Sequence, residues 1–118
     1  FKVYFEGELD ERNWVWDFGG MKRAKTLIDG KQPKAWMDYM FDHTMILAKD
    51  DPWIEAFKQM EESGVAQIRI IEATGAEKFA EYIYNKLNDF VHEETEGRVR
   101  VTKVKFMEHG KNAACYGE

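Results

Sequence analysis

Apolar and polar positions alternate along residues 1–9, with Val3 and Phe5 on the apolar parity. This period of two predicts a half-buried β-strand. The bulky run at residues 14–16 follows a polar turn and suits a short partner strand. Together the two segments predict a β-hairpin at the start of the chain.

Apolar residues at helical spacing follow in four places. Asp17 stands where an N-cap belongs, ahead of a helix expected to run to Ile28. Shorter helices are expected over residues 36–41 and 53–60. The clearest helix covers residues 76–91, where the 3.6-residue period persists over four turns.

Three further strands complete the predicted layout. Residues 67–71 and 113–116 are rich in strand-forming side chains, whereas residues 42–52 are loop-like at both ends. Residues 98–107 also predict a strand, but their apolar parity changes near Thr102, which indicates a β-bulge. This order predicts an α+β fold with an antiparallel sheet and helices on one face.

Composition narrows the class of protein. The chain has 118 residues, 44% of them hydrophobic and 33% charged, which predicts one globular domain over residues 1–118. A net charge of −5 argues against nucleic acid as a partner. No apolar run is long enough to span a membrane, and the single Cys115 favours a reducing compartment, so we expect a cytoplasmic protein.

The pair Asp42-His43 is the first candidate for chemistry. A carboxylate beside a histidine can orient the imidazole for proton transfer near neutral pH. Neighbouring residues point in different directions on a strand, so the pair cooperates only if a loop turns both inward. A capping or surface role is the alternative.

Glu108 is the second candidate, near the end of the predicted strand that begins at residue 98. Its parity matches Phe106 on the apolar side, and a carboxylate there can accept two parallel N–H bonds from an amidine-like edge. An exposed glutamate at a strand end is the alternative.

Thr74 and Glu77 open the long predicted helix. Their spacing fits a capping box, in which Thr74 is the N-cap and Glu77 its partner three residues later. That structural role competes with any contact from Glu77 to a ligand.

Four cations at Arg98, Arg100, Lys103 and Lys105 could attract a phosphate-bearing substrate, although a solvated strand face is the alternative. The three histidines at 43, 92 and 109 lack the short spacing typical of zinc ligands, so we do not expect them to form a zinc site.

Four ordered motifs give the chain a family resemblance. They are Trp14–Lys22 (WVWDFGGMK), Phe41–Thr44 (FDHT) with Asp50-Asp51-Pro52 after it, Thr74–Ala80 (TGAEKFA), and Val104–Glu108 (VKFME). In this order and at these separations they resemble the 6-pyruvoyltetrahydropterin synthase / 6-carboxytetrahydropterin synthase family over nearly the whole chain. Gly75 stands where that family more often has threonine.

The resemblance implies a tunnelling fold (T-fold), an antiparallel four-stranded sheet backed by helices. It also implies a homo-oligomer, commonly a hexamer built as a dimer of trimers, with active sites between subunits. The implied substrate is dihydroneopterin triphosphate, a small-molecule pterin triphosphate.

The resemblance further implies a zinc-dependent lyase. In the queuosine-pathway branch the product is 6-carboxytetrahydropterin, released with loss of triphosphate and acetaldehyde. By this reading Asp42 and His43 are the catalytic proton relay and Glu108 anchors the pterin, while Glu77 and Thr74 make secondary contacts to it.

The family's three zinc-binding histidines and its catalytic cysteine lie upstream of the strand that resembles residues 1–9. We therefore expect no zinc ligand within this chain and place the expected ligands upstream of Phe1. Elimination of triphosphate alone, as in 6-pyruvoyltetrahydropterin synthase, is one alternative. A non-catalytic pterin-binding or scaffold protein is another, and an unrelated α+β domain is a third.

Overall fold

The computed structural model describes residues 1–109 and 112–118, with the side chains of residues 108, 109 and 112 outside the description. The elements form two sheets, one antiparallel and one parallel, with helices around them, so the predicted α+β class is confirmed. In chain order they are β1 (Lys2–Gly7), α1 (Gly20–Arg23), α2 (Pro33–Phe41), β2 (Met45–Ala48), α3 (Ile54–Glu62), β3 (Ile68–Ile71), α4 (Ala76–Glu94), β4 (Val99–His109) and β5 (Asn112–Gly117).

The main sheet has the strand order β1-β4-β5, and both pairs of neighbours are antiparallel. Its inner face packs on α4, and Val99, Val101 and Val104 of the central strand are fully buried there. The facing positions of α4 are buried at the predicted helical spacing: Ala80, Ile83, Leu87 and Val91. The core of the domain therefore lies between α4 and the main sheet.

The predicted bulge is present in β4. Tyr4 lies opposite Lys103, but the next residue of β1, Phe5, lies opposite Val101, so Thr102 is the extra residue. The insertion explains why the apolar parity changes at this point: it lets residues on both sides of Thr102 face the core.

A second sheet consists of two parallel strands, β2 and β3. The strand predicted at residues 67–71 is confirmed as β3, but β2 and the parallel pairing were not predicted. β2 pairs with β3 in a β-α-β unit whose connecting helix is α3. β2 falls in the segment predicted to be loop-like, since four residues are too few to display a period. Ile71 of β3 is buried in the main core and Ile46 of β2 packs against it, which joins the two sheets.

The predicted hairpin is wrong. β1 pairs with β4 instead, and residues 14–16, all of which the structure describes, are not in a strand. Asp10 organises the intervening turn: its backbone N–H donates to the carbonyl of Trp14 at 2.8 Å, and its carboxylate accepts the N–H groups of Arg12 and Trp14. These local bonds turn the chain without aligning two strands.

The helix expected from Asp17 to Ile28 is much shorter and consists of α1 alone. It stops because Ala24 is extended, and the next two backbone N–H groups donate to the carboxylate of Glu94 at 3.0–3.2 Å. Pro33 opens α2, where its missing N–H costs nothing, and the predicted second helix is confirmed. Of the helices within residues 1–109 and 112–118, none has the length and apolar character needed to cross a bilayer.

A candidate active site at one end of the main sheet

One end of the main sheet brings together segments that lie far apart in the sequence. Because β1 and β4 are antiparallel, β1 begins at the end where β4 finishes. The ring of Phe1 lies 5.8 Å from that of Phe41, the last residue of α2. Asp42 and His43 directly follow α2, so the predicted relay lies at this end.

The first turn of α4 lies at the same end. The ring centroids of Phe79 and Phe106 are 5.0 Å apart, which ties the start of α4 to the last part of β4. Thr74 and Glu77 at the start of α4 are therefore close to the segment of β4 that contains Glu108. The two ring contacts place the residues after α2 and the first turn of α4 near the end of the main sheet where β4 finishes.

His43 is held in a turn and projects into solvent. Its φ angle is +54°, a left-handed conformation, and its side chain is 92% exposed. His43 Nε2 lies 3.5 Å from Asp42 Oδ1, and the Asp42 side chain is 65% exposed. The exposed imidazole is accessible to a bound molecule for proton exchange.

The capping box predicted for Thr74 and Glu77 is wrong. The N-cap residue of α4 is Gly75, and no side chain among the described residues caps the helix. Gly75 has a φ angle of +113° and a ψ angle of +153°, a conformation essentially restricted to glycine. Thr74 and Glu77 are both exposed, so the carboxylate of Glu77 has no structural role at the cap that competes with a ligand.

Glu108 lies in β4, one residue before its end. Its side chain lies outside the described residues, so its role as pterin anchor stays a prediction. The same holds for the side chain of His109.

The described residues do not fit a zinc site. Among them, no group of three His, Cys, Asp or Glu side chains is arranged to hold a metal ion. His43 follows α2, whereas His92 lies in the last turn of α4 near Gly97.

The four cations near β4 are two arginines that hydrogen-bond to other parts of the protein and two lysines on the face of the sheet. Arg98 donates to the carbonyl oxygens of Glu8 and Val15, so it fixes the chain after β1 and has a structural role. Arg100 bonds the carboxylate of Glu118. Lys103 and Lys105 lie on the face of the main sheet opposite α4, where Lys103 is exposed and Lys105 is half-buried. Sequence reasoning did not single out Lys2, which faces one of them, because its position depends on the register between strands about 100 residues apart.

A comparison with protein families adds independent information. Residues 1–118 match the family described as 6-pyruvoyl tetrahydropterin synthase. No curated protein and no solved structure matches the chain. Members of the matched family are lyases that act on pterins and form oligomers, and the T-fold expected from the motifs agrees with the match. Since the match covers every residue, the chain belongs to the 6-pyruvoyl tetrahydropterin synthase family.

Proposed function

We propose that the protein converts dihydroneopterin triphosphate to 6-carboxytetrahydropterin, with loss of triphosphate and acetaldehyde. Family membership supports the pterin-directed lyase class. The observation that supports the proposal is a pair of ring contacts, Phe1–Phe41 and Phe79–Phe106. They link the residue before Asp42 and the first turn of α4 to the end of the main sheet where β4 finishes.

In this proposal His43 moves protons at the substrate side chain, and Asp42 favours the charged imidazole. A histidine suits this task because its ordinary pKa lies near neutrality. Glu108 accepts hydrogen bonds from the amino group and ring N–H of the pterin in a two-point contact. The exposed Glu77 and Thr74 contribute secondary contacts.

The site is open in a single chain, since His43, Thr74 and Glu77 are all exposed. A pterin held there needs further walls, and we propose that neighbouring copies supply them in a hexamer built as a dimer of trimers. Zinc dependence, implied by the resemblance, stays a prediction. Its ligands would have to come from outside the group of residues that the structure describes.

A non-catalytic pterin-binding protein is the second candidate. Such a protein would keep the pterin contact of Glu108 and lose the metal chemistry. Elimination of triphosphate alone, giving 6-pyruvoyltetrahydropterin, is the alternative within the same chemistry.

Product analysis separates these functions. The purified protein is incubated with dihydroneopterin triphosphate, with added zinc and separately with a chelator, and the products are identified by mass spectrometry. Release of 6-carboxytetrahydropterin and acetaldehyde supports the proposal, whereas 6-pyruvoyltetrahydropterin without acetaldehyde supports simple elimination. Pterin binding without turnover supports the non-catalytic protein, and the absence of binding contradicts all three functions.

A further inference from the structure

The turn between α2 and β2 holds His43 in an unusual backbone conformation. Its φ angle of +54° lies in the left-handed region, which persists in residues other than glycine only where the surrounding structure holds it. Because the His43 side chain is 92% exposed, contacts of the imidazole itself hold it little. The direction of the imidazole therefore depends mainly on the backbone of the turn.

Backbone hydrogen bonds fix the chain on both sides of His43. Before it, the N–H of Asp42 ends α2 by donating to the carbonyl of Asp38 at 3.0 Å. After it, the N–H of Met45 donates to the carbonyl of Gln67 at 2.8 Å, where the pairing of β2 with β3 begins. Only two residues lie between these anchored positions, so a small number of contacts decides the conformation of the turn.

Thr44 closes the turn with its side chain. Its hydroxyl donates to the carbonyl oxygen of Met40 at 2.5 Å. Met40 lies in the last turn of α2, where carbonyl groups lack a partner within the helix. The ring closed by this hydrogen bond contains Phe41, Asp42 and His43. Thr44 is half-buried, so water replaces its bond less readily than it would at an exposed hydroxyl.

We propose that Thr44 is a positioning residue for His43. A change of φ at His43 would swing Thr44 away from the end of α2, so the hydroxyl bond to Met40 favours the left-handed conformation. That conformation presents the imidazole at the candidate site. The effect of Thr44 on turnover rests on the proposed function, whereas its effect on the backbone of His43 does not.

The first test compares two replacements of Thr44 in the conversion of dihydroneopterin triphosphate. Thr44→Val keeps the branched shape and removes the hydroxyl, whereas Thr44→Ser keeps the hydroxyl. We expect Thr44→Val to lower kcat about fivefold, since one hydrogen bond limits how far the turn can shift. KM should be nearly unchanged, because His43 is proposed to move protons and not to anchor the pterin. Thr44→Ser should keep most of the wild-type kcat, and equal losses in the two variants would overturn the proposal.

Thr95→Val is the matched control. The hydroxyl of Thr95 donates to the carbonyl of Val91 at 2.6 Å, four residues earlier, just as that of Thr44 does at the end of α2. Thr95 also accepts the N–H of Val99, so its replacement should destabilise the fold at least as much. Thr95 lies at the opposite end of α4 from the candidate site. It should keep the wild-type kcat, and an equal loss there would show a general effect of stability.

A double variant tests whether Thr44 acts through His43. If it does, adding Thr44→Val to His43→Asn should lower kcat no further than His43→Asn alone. A further loss of about fivefold in the double variant would show that Thr44 acts independently of His43, which contradicts the proposal.

A second measurement does not require turnover. The HN–Hα coupling and backbone chemical shifts of His43, measured by NMR, report its φ angle. We expect Thr44→Val to lose the left-handed signature at least in part, and Thr44→Ser and Thr95→Val to keep it. If this change occurs but the wild-type protein converts no pterin, the positioning role is supported and the proposed function fails. If the pterin is converted, an unchanged kcat or unchanged His43 signals in Thr44→Val refute the positioning role and leave the function standing.

Discussion

Phe79 packs against Phe106, with ring centroids 5.0 Å apart and ring planes 31° from parallel. Phe79 lies in the first turn of α4, and Phe106 lies on β4 two residues before Glu108. This contact fixes the start of α4 relative to the end of the strand. Together with the buried core between α4 and the main sheet, this aromatic pair helps to set the position of the first turn of α4 relative to the last part of β4.

We expect Phe106→Ala to lower the free energy of unfolding by about 2 kcal/mol, less than for a fully buried phenylalanine because the ring is only half-buried. Urea denaturation measures the change. Met107→Ala is the control, because Met107 is the next residue and its side chain is 40% exposed on the opposite face. Equal losses in the two variants would contradict a specific role for the aromatic pair.

Much of the fold could be predicted because its signals are local. The period of α4 follows from its own residues, and the bulge at Thr102 follows from a parity change within a single strand. The partner of β1 could not be predicted in this way. A strand can pair with any of several segments that are distant in sequence, and no local pattern identifies the partner. The hydrogen bonds between Asp10 and Trp14 hold residues 14–16 in a turn conformation that does not pair with β1.

The candidate site was predictable only in part, for the same reason. Asp42-His43 and Glu77 are visible as short motifs, and the structure brings their segments to one end of the sheet. The capping-box prediction is wrong because the N-cap position of α4 is occupied by Gly75 and not by Thr74. Gly75 has no side chain that could cap the helix. The facing of Lys2 and Lys105 depends on register, which no local pattern reveals.

Asn88 supports the bulge from outside the sheet. Its Oδ1 accepts the backbone N–H of Val101 at 2.9 Å, and Val101 is fully buried. Asn88→Ala leaves that N–H without this partner, which we expect to cost about 1–3 kcal/mol of stability by urea denaturation.

Asn85→Ala is the matched control for this prediction. Asn85 lies one turn earlier on α4 and is exposed, so its replacement should change stability by less than about 0.5 kcal/mol. A loss in Asn88→Ala no larger than that in Asn85→Ala would show that water or the backbone satisfies Val101 equally well.

Gly75 should resist replacement more strongly than Gly64, another glycine with positive φ. Its conformation is nearly closed to other residues, and we expect Gly75→Ala to cost about 1–3 kcal/mol. Gly64 has a φ angle of +79° and open space around it, so Gly64→Ala should cost only about 1 kcal/mol. Thermal or urea unfolding of both variants gives the comparison. A smaller loss at Gly75 than at Gly64 would contradict the strain argument.

The Arg100–Glu118 contact should make the free energy of unfolding depend on pH in the acidic range. Because the pKa of Glu118 is lower in the folded protein, its contribution is present above its ordinary value of 4.5 and is lost as pH falls through the folded pKa. We expect Glu118→Gln to be less stable than wild type at pH 7 and to converge with it once the pH falls below the folded pKa of Glu118. Denaturation at a series of pH values measures this. A constant difference across the series would refute the linkage.

His43 should be required for turnover and not for folding. Because its φ angle is positive, His43→Asn is the better probe, since asparagine tolerates that conformation and lacks the imidazole. Loss of a proton-transfer group should lower kcat about 10²–10⁴-fold, whereas unfolding in urea should be unchanged because the side chain is exposed. His92→Asn, near the end of α4, is the control and should keep its turnover. Wild-type turnover in His43→Asn would remove the relay role, and a parallel loss in His92→Asn would show that the effect is not specific to this site.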